Sequence, residues 1–285
     1  MKDFNGKVVY IVGGSSGIGL ATAKALAAEG AHIVIFARRK EHLEQALGQI
    51  KSARVSSSQR LSYMQVDVSV WDEVKAVMSR AVTEFGVPDV LINCAGRAYP
   101  RVFEEISYQQ FTETMEVNFY GIWHTTAVLV PYMKENGGHI VNVSSIAGFL
   151  GLFGYTDYSA SKFAIIGFSE ALRSELKQYG ITVSVLCPPD TDTPGFHEEN
   201  KTKPEETRAI SAGAKLRQPD EIARALIDGM KKGEMYIIPG FDGRLIFLLK
   251  RLFPGLVEFV MDSTIKRVQA QRRNGGSPQK ETAGG

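Results

Sequence analysis

Cysteine is almost missing from this sequence: Cys94 and Cys187 are the only two in 285 residues. They lie far apart, each beside an apolar run. No disulfide framework or metal-binding spacing is present, and a reducing compartment is the expectation. A large charge of either sign is missing too. The 33 Lys and Arg against 31 Asp and Glu leave a formal charge of +2, too little to attract a nucleic acid. The first residues, MKDFNGKVVYIVGG, contain no apolar segment ahead of the first strand-like run, which argues against a cleaved signal peptide.

What is present is enough apolar content for a sizeable core. The chain is 44% hydrophobic and 22% charged, which suits one α/β domain or two small ones. Strand-like and helix-like stretches alternate. The pattern predicts strands at 7–12, 32–36, 61–66, 89–92, 139–143 and 181–186, with helices over 20–30, 40–51, 71–85, 107–134 and 157–178. Near-continuous apolar strands separated by helices imply a parallel sheet covered on both faces. No break in composition divides residues 1–240, so the prediction is a single doubly wound α/β domain.

Three short stretches carry chemistry. The first is VGGSSGIG, where Gly13, Gly17 and Gly19 bracket Ser15, Ser16 and Ile18 between the first strand and the first helix. A side chain at those glycines would block the approach of a pyrophosphate, and a helix N-terminus supplies amide donors and the positive end of a dipole. The second is IVIFARRK, at the end of the second strand. Sites that hold NAD place a carboxylate there for the ribose 2′-hydroxyl. Here Ala37 is followed by Arg38, Arg39 and Lys40, and a guanidinium suits a 2′-phosphate. That favours NADPH, with Arg38 as the main contact and Arg39 beside it. The third is YSASK, in which Tyr158 and Lys162 share one helical face. An ammonium beside a phenol lowers its pKa toward working pH and equips it to exchange a proton with an oxygen.

Together with VDVS (66–69), NCAG (93–96), Asn118 in VNFYG and SSIAG (144–148), these stretches resemble the short-chain dehydrogenase/reductase family over residues 7 to about 240. The resemblance implies a Rossmann-type fold and a set of roles. Tyr158 would protonate a carbonyl oxygen, and Lys162 would bind the nicotinamide ribose and depress the tyrosine pKa. Ser145, or Ser144 if the register is one residue off, would hydrogen-bond the substrate oxygen. Asn118 would hold a water that links Lys162 to solvent. Asp67 and Val68 would border the adenine, and the stretch Asn93, Ala95 and Gly96 the adenosine ribose. Pro188, Thr191 and Thr193 would lie at the nicotinamide, with the two threonines meeting its carboxamide. Three positions depart from the family pattern: Val12 stands for a threonine, Cys94 for an asparagine and Pro189 for a glycine. None removes a catalytic group.

Substrate choice is expected after the sixth strand, in the loop 188–214. LCPPDTDTPGF (186–196) and LGLFGYTDYSASKFAI (150–165) resemble one branch of the family, the 3-ketodihydrosphingosine reductases. These reduce the 3-keto group of a long-chain base with NADPH at a membrane surface facing the cytosol. Their substrate carries an ammonium beside the ketone, for which Asp192, Glu198 and Glu199 are candidate partners. Other lipid ketones, steroid ketones or 3-oxoacyl thioesters are the alternative substrates, and a non-catalytic NADP(H) sensor is a further one. Residues 241–273 form an apolar and basic extension too interrupted for the ~20 apolar residues of a span. It reads as an interfacial helix pair, a lid or an oligomer contact. Residues 274–285 read as disordered. By analogy with the family, a homodimer or tetramer is expected.

Overall fold

A computed structural model describes residues 3–274. β1 (Val8–Val12) leads to α1 (Gly17–Ala28), β2 (His32–Ala37) to α2 (Lys40–Ser52), and β3 (Leu61–Gln65) to α3 (Trp71–Phe85). β4 (Val90–Asn93) leads to a broken helix: α4 (Tyr108–Met115), a π-helical turn (Glu116–Tyr120) and α5 (Gly121–Met133). β5 (Gly138–Val143), α6 (Thr156–Leu176) and β6 (Ile181–Leu186) follow, then α7 (Pro194–Thr202), α8 (Glu205–Ser211), α9 (Pro219–Lys232) and a short β7 (Tyr236–Ile237). α10 (Phe241–Leu252) and α11 (Pro254–Asn274) end the described chain.

The seven strands pair in parallel in the order β3-β2-β1-β4-β5-β6-β7. Strand side chains alternate between the two faces of the sheet. Val9, Ile11, Ile33 and Ile35 share a core with Leu26 of α1, Leu43 of α2 and Leu226 of α9. Tyr10, Val12, Val34 and Phe36 share the opposite core with Met78 of α3, Leu129 of α5 and Leu176 of α6. Burial on both faces explains why the strands read as continuous apolar runs. The strand order reverses between β1 and β4, which opens a crevice beyond their carboxyl ends.

Two differences from the pattern have physical causes. The stretch predicted as one helix over 107–134 is interrupted by the π-helical turn, and Asn118 sits inside it. α9 and β7 lie in a segment for which no elements were predicted. β7 has two residues, too few to show a period.

The extension 241–273 forms α10 and α11. Its inner face, Ile246, Phe247, Val257 and Met261, joins a third cluster with Phe149, Leu150, Leu152 and Ile238. Of the stretch predicted to be disordered, Asn274 ends α11 and residues 275–285 lie outside the described residues. No helix among the described residues is long and apolar enough to cross a membrane.

Candidate active site

The turn after β1 is built on close approach. Gly13 and Gly17 both have positive φ, 81° and 53°. A Cβ on Gly13 would lie 2.6 Å from the Ala95 amide nitrogen, and one on Gly19 2.3 Å from the Gly13 carbonyl oxygen. The start of α1 is thereby pressed against the exits of β1 and β4, and its N-terminus opens onto a cavity of about 340 Å³. Ser15, Ser16, Gly17 and Ile18 line one wall. Arg38, Arg39 and Val68 line the wall beyond β2 and β3. The Arg38 guanidinium lies 3.7 Å from the Asp67 carboxylate and stays largely exposed. A dinucleotide fits this cradle: glycine backbone at a helix N-terminus for the pyrophosphate, and cations beyond it.

The other end of the cavity is held by β5 and α6. Lys162 Nζ donates to the Val143 carbonyl at 3.0 Å and lies 5.5 Å from the centre of the Tyr158 ring. Ser145 lines the cavity with Tyr158, and its hydroxyl accepts from the Ala147 amide at 3.1 Å. Ser144 donates to the Lys162 carbonyl at 2.8 Å. Both serines line the cavity, and the Ser144 hydroxyl is committed to that carbonyl. A Cβ on Gly96 would stand 3.4 Å from Asn118 Oδ1 and 3.5 Å from Lys162 Nζ, so any larger residue would fill the gap between them.

Burial pushes the Tyr158 phenol above its ordinary value, the Glu199 carboxylate pushes it further, and the nearby Ser145 hydroxyl offsets part of this. Burial also pulls Lys162 down to about 8, because a dry setting disfavours the ammonium. Tyr158 is therefore held firmly as a proton donor.

Gly13, Gly17, Arg38, Ala95, Gly96 and Ser145 line one continuous cavity, and so do Tyr158, Lys162, Pro188, Thr191 and Thr193. Four of the predicted residues lie outside that lining. Gly19 acts through the turn packing already described. Asp67 accepts from the Ser69 amide and hydroxyl, which makes it a turn cap. The Asn93 side chain faces away, donating to Asn142 Oδ1 at 2.9 Å and accepting from Thr125 Oγ1 at 2.7 Å. Asn118 is fully buried; its amide accepts from the Arg97 amide and donates to the Arg97 carbonyl and Ser161 Oγ. The threonine hydroxyls are occupied as well: Thr191 donates to the Pro189 carbonyl and Thr193 caps α7 by accepting from the Phe196 amide.

Of the three acidic candidates in the substrate loop, Glu199 lines the cavity. Glu198 pairs with Lys201 and Asp192 with His197. Tyr155, Asp190 and Phe196 line it too and were not predicted. Tyr155 carried a usable signal, since it lies three residues before Tyr158 at the start of the same helix.

The chain belongs to the short chain dehydrogenase family, whose pattern matches residues 7–204. It is therefore an oxidoreductase, on a single α/β domain of Rossmann type. It is 42% identical over 247 residues to a 3-dehydrosphinganine reductase of Danio rerio, covering 86% of this chain and 74% of that one. It is 41% identical over 243 residues to a 3-ketodihydrosphingosine reductase of Mus musculus, covering 85% and 73%. An 11-beta-hydroxysteroid dehydrogenase-like protein of Arabidopsis thaliana is 31% identical over 264 residues, covering 92% and 82%.

Among solved structures, a short chain dehydrogenase/reductase from Burkholderia phymatum in complex with NAD superposes with a TM-score of 0.77 at 26% identity, covering 90% of this chain and 96% of that one. An alcohol dehydrogenase from the archaeon Thermococcus sibiricus, complexed with 5-hydroxy-NADP, gives 0.70 at 26% identity over 81% and 95%.

Proposed function

We propose that this chain reduces the ketone of 3-ketodihydrosphingosine to the alcohol at the expense of NADPH. The observation that carries the reading is that Tyr158, Lys162 and Ser145 line one cavity with the glycine turn, in a chain 42% identical to a reductase of that name. A nicotinamide held in this cradle would supply the hydride. Tyr158 gives its proton to the carbonyl oxygen while Ser145 holds that oxygen in place, so the developing alkoxide is neutralised as it forms. Lys162, anchored on Val143, is placed for the ribose hydroxyls and for returning a proton to Tyr158. The absence of a carboxylate at Ala37 and the presence of Arg38 and Arg39 in the lining support NADPH.

The same reading places the enzyme at a lipid surface facing the cytosol. Phe241, Leu248, Leu252 and Phe259 of α10 and α11 are all more than half exposed, and Arg267, Arg272 and Arg273 follow on α11. Apolar side chains flanked by cations suit the headgroup region of an anionic bilayer. Exposed Trp123 on α5 and Phe163 on α6 support assembly as a homodimer or tetramer.

The test is turnover by the purified chain. NADPH absorbance should fall on addition of 3-ketodihydrosphingosine, with dihydrosphingosine as product and NADH a poor substitute. Reduction of steroid ketones or 3-oxoacyl thioesters alone would overturn the substrate, equal use of NADH would overturn the cofactor, and no turnover at all would favour a dinucleotide sensor.

A further inference from the structure

The lid side of the cavity holds charges that proton transfer at Tyr158 does not need. Glu199 on α7 and Asp190 in the loop after β6 both line the cavity with Tyr158. Among the described residues, the one basic side chain within 4.0 Å of either carboxylate is Lys203, whose Nζ lies 3.2 Å from Glu199 and 3.8 Å from Asp190. The Lys203 side chain is only 4% exposed. Neighbouring basic side chains are engaged elsewhere: Lys201 on Glu198, His197 on Asp192, and Arg208 on the carbonyls of Asn200 and Lys203. Two carboxylates share one ammonium, and burial raises the Glu199 carboxyl above its ordinary value, so an uncompensated charge there is costly and a second cation would relieve it.

The surroundings suit a cation. Tyr155 donates its hydroxyl to Glu199, and its ring centre lies 5.5 Å from that of Tyr158. Lys203 Nζ already stands 4.9 Å from the centre of the Phe196 ring, so aromatic faces border the carboxylates. Glu199 also acts on the reacting group itself, since its charge opposes loss of the Tyr158 proton.

We propose that Glu199, supported by Asp190, receives the ammonium group of the substrate and so selects ketones that carry an amine beside the reacting carbonyl. This rests on the function proposed above and adds the group that recognises the amine. The amine nitrogen is one carbon removed from the carbonyl. Seating the carbonyl oxygen on Tyr158 and Ser145 therefore keeps the ammonium on the Tyr155–Glu199 side of the cavity. There it supplies the second cation and offers three N–H donors to carboxylate oxygens. Binding in turn relieves the repulsion that Glu199 exerts on a forming tyrosinate, which couples recognition of the amine to delivery of the proton.

Glu199→Gln removes the charge and keeps both the shape and the acceptor for Tyr155. With 3-ketodihydrosphingosine, kcat/KM should fall about 10- to 100-fold, mainly through KM, as for loss of a charged hydrogen bond. With a ketone of equal length lacking the amine, kcat/KM should not fall and should rise modestly, because the charge that opposes loss of the Tyr158 proton is gone. Glu199→Asp should retain part of the preference. Equal losses on both ketones, or no loss on the amino ketone, would overturn the assignment to Glu199. Turnover of neither ketone by the unmodified protein would instead overturn the substrate reading, and this inference with it. If the variant does not fold, the unmodified enzyme gives the answer. A long-chain primary amine should inhibit at least about 10-fold more tightly than the alcohol of the same length, and equal inhibition would overturn the proposal.

Discussion

The two ends of the cavity are built on different principles. The dinucleotide end hangs on strand termini: Gly13 directly follows β1, Arg38 follows β2, and Ala95 and Ser145 come two residues after β4 and β5. Those strands are almost wholly buried on both faces. The substrate end hangs on helices with little core of their own. α7 and α11 bury no residue and α10 buries Gly243 alone, whereas α9, beneath the sheet, buries six residues. The ties of the substrate end to the body are individual contacts, such as Tyr155 to Glu199 and the Thr207 hydroxyl to the Phe153 carbonyl. Proton transfer needs side chains held to a fraction of an ångström, and a sheet supplies that. Admission of a long flexible substrate needs elements that open cheaply, and sparsely buried helices supply that.

The comparison breaks most sharply at the phenol. Tyr158→Phe should lower kcat by about a thousandfold or more, as loss of the general acid does. Dinucleotide binding, followed by quenching of the intrinsic fluorescence, should be unchanged, because the cradle at Gly13 and Arg38 does not use the hydroxyl. A variant that also loses the dinucleotide would show that the two ends are not separable.

The next test weighs the scaffolds themselves. Leu226→Ala, in the core that α9 makes with the sheet, should cost about 2–5 kcal/mol in denaturant unfolding. The same change at Leu248 on α10, which is 53% exposed, should stay within about 0.5 kcal/mol. Similar costs at the two sites would remove the contrast between a stiff sheet end and a loosely built helical end.

The sheet end was the legible one, and the reason is physical. A glycine turn, a strand exit and an i, i+4 pair are local, so VGGSSGIG, FARRK and YSASK point to cavity residues without knowledge of the fold. β1 to β6 were readable for the same reason, because burial on both faces makes each strand an unbroken apolar run. What escaped was nonlocal. Asn93 has a cofactor-like position in sequence, but its side chain pairs with Thr125 and Asn142, 32 and 49 residues away, whereas Asp67 caps its own turn at Ser69. Tyr155 is separated from Asp190 by 35 residues and from Glu199 by 44, and no spacing rule joins it to them. α9 is a partial exception. Pro219 at its start, Gly233 in a left-handed conformation at its end, and Ile222, Leu226 and Met230 at intervals of four were all readable signals.

The smallest effect on stability belongs to the outer face of α10 and α11, and it sharpens the comparison most. Leu252 is 60% exposed and Phe259 70%, so replacing both by Ser should move the unfolding free energy by less than about 1 kcal/mol, as surface changes do. The two helices keep their inner contacts through Phe247 and Val257 and remain linked by Lys250 to Glu258 at 2.8 Å. Burying a large apolar side chain yields about 1.5–3 kcal/mol, and partial insertion of two of them yields roughly half of that for each. Sedimentation with vesicles containing anionic lipid should therefore weaken by about 10-fold or more, while turnover of a short water-soluble amino ketone is unchanged. A loss of stability well above 1 kcal/mol, or a change in molecular mass on sizing with vesicle binding intact, would assign this face to contact between copies of the chain. In either event the sheet end should keep its full turnover, because the two replaced side chains are exposed and are not among the residues that line the cavity with Tyr158, Ser145 and Lys162.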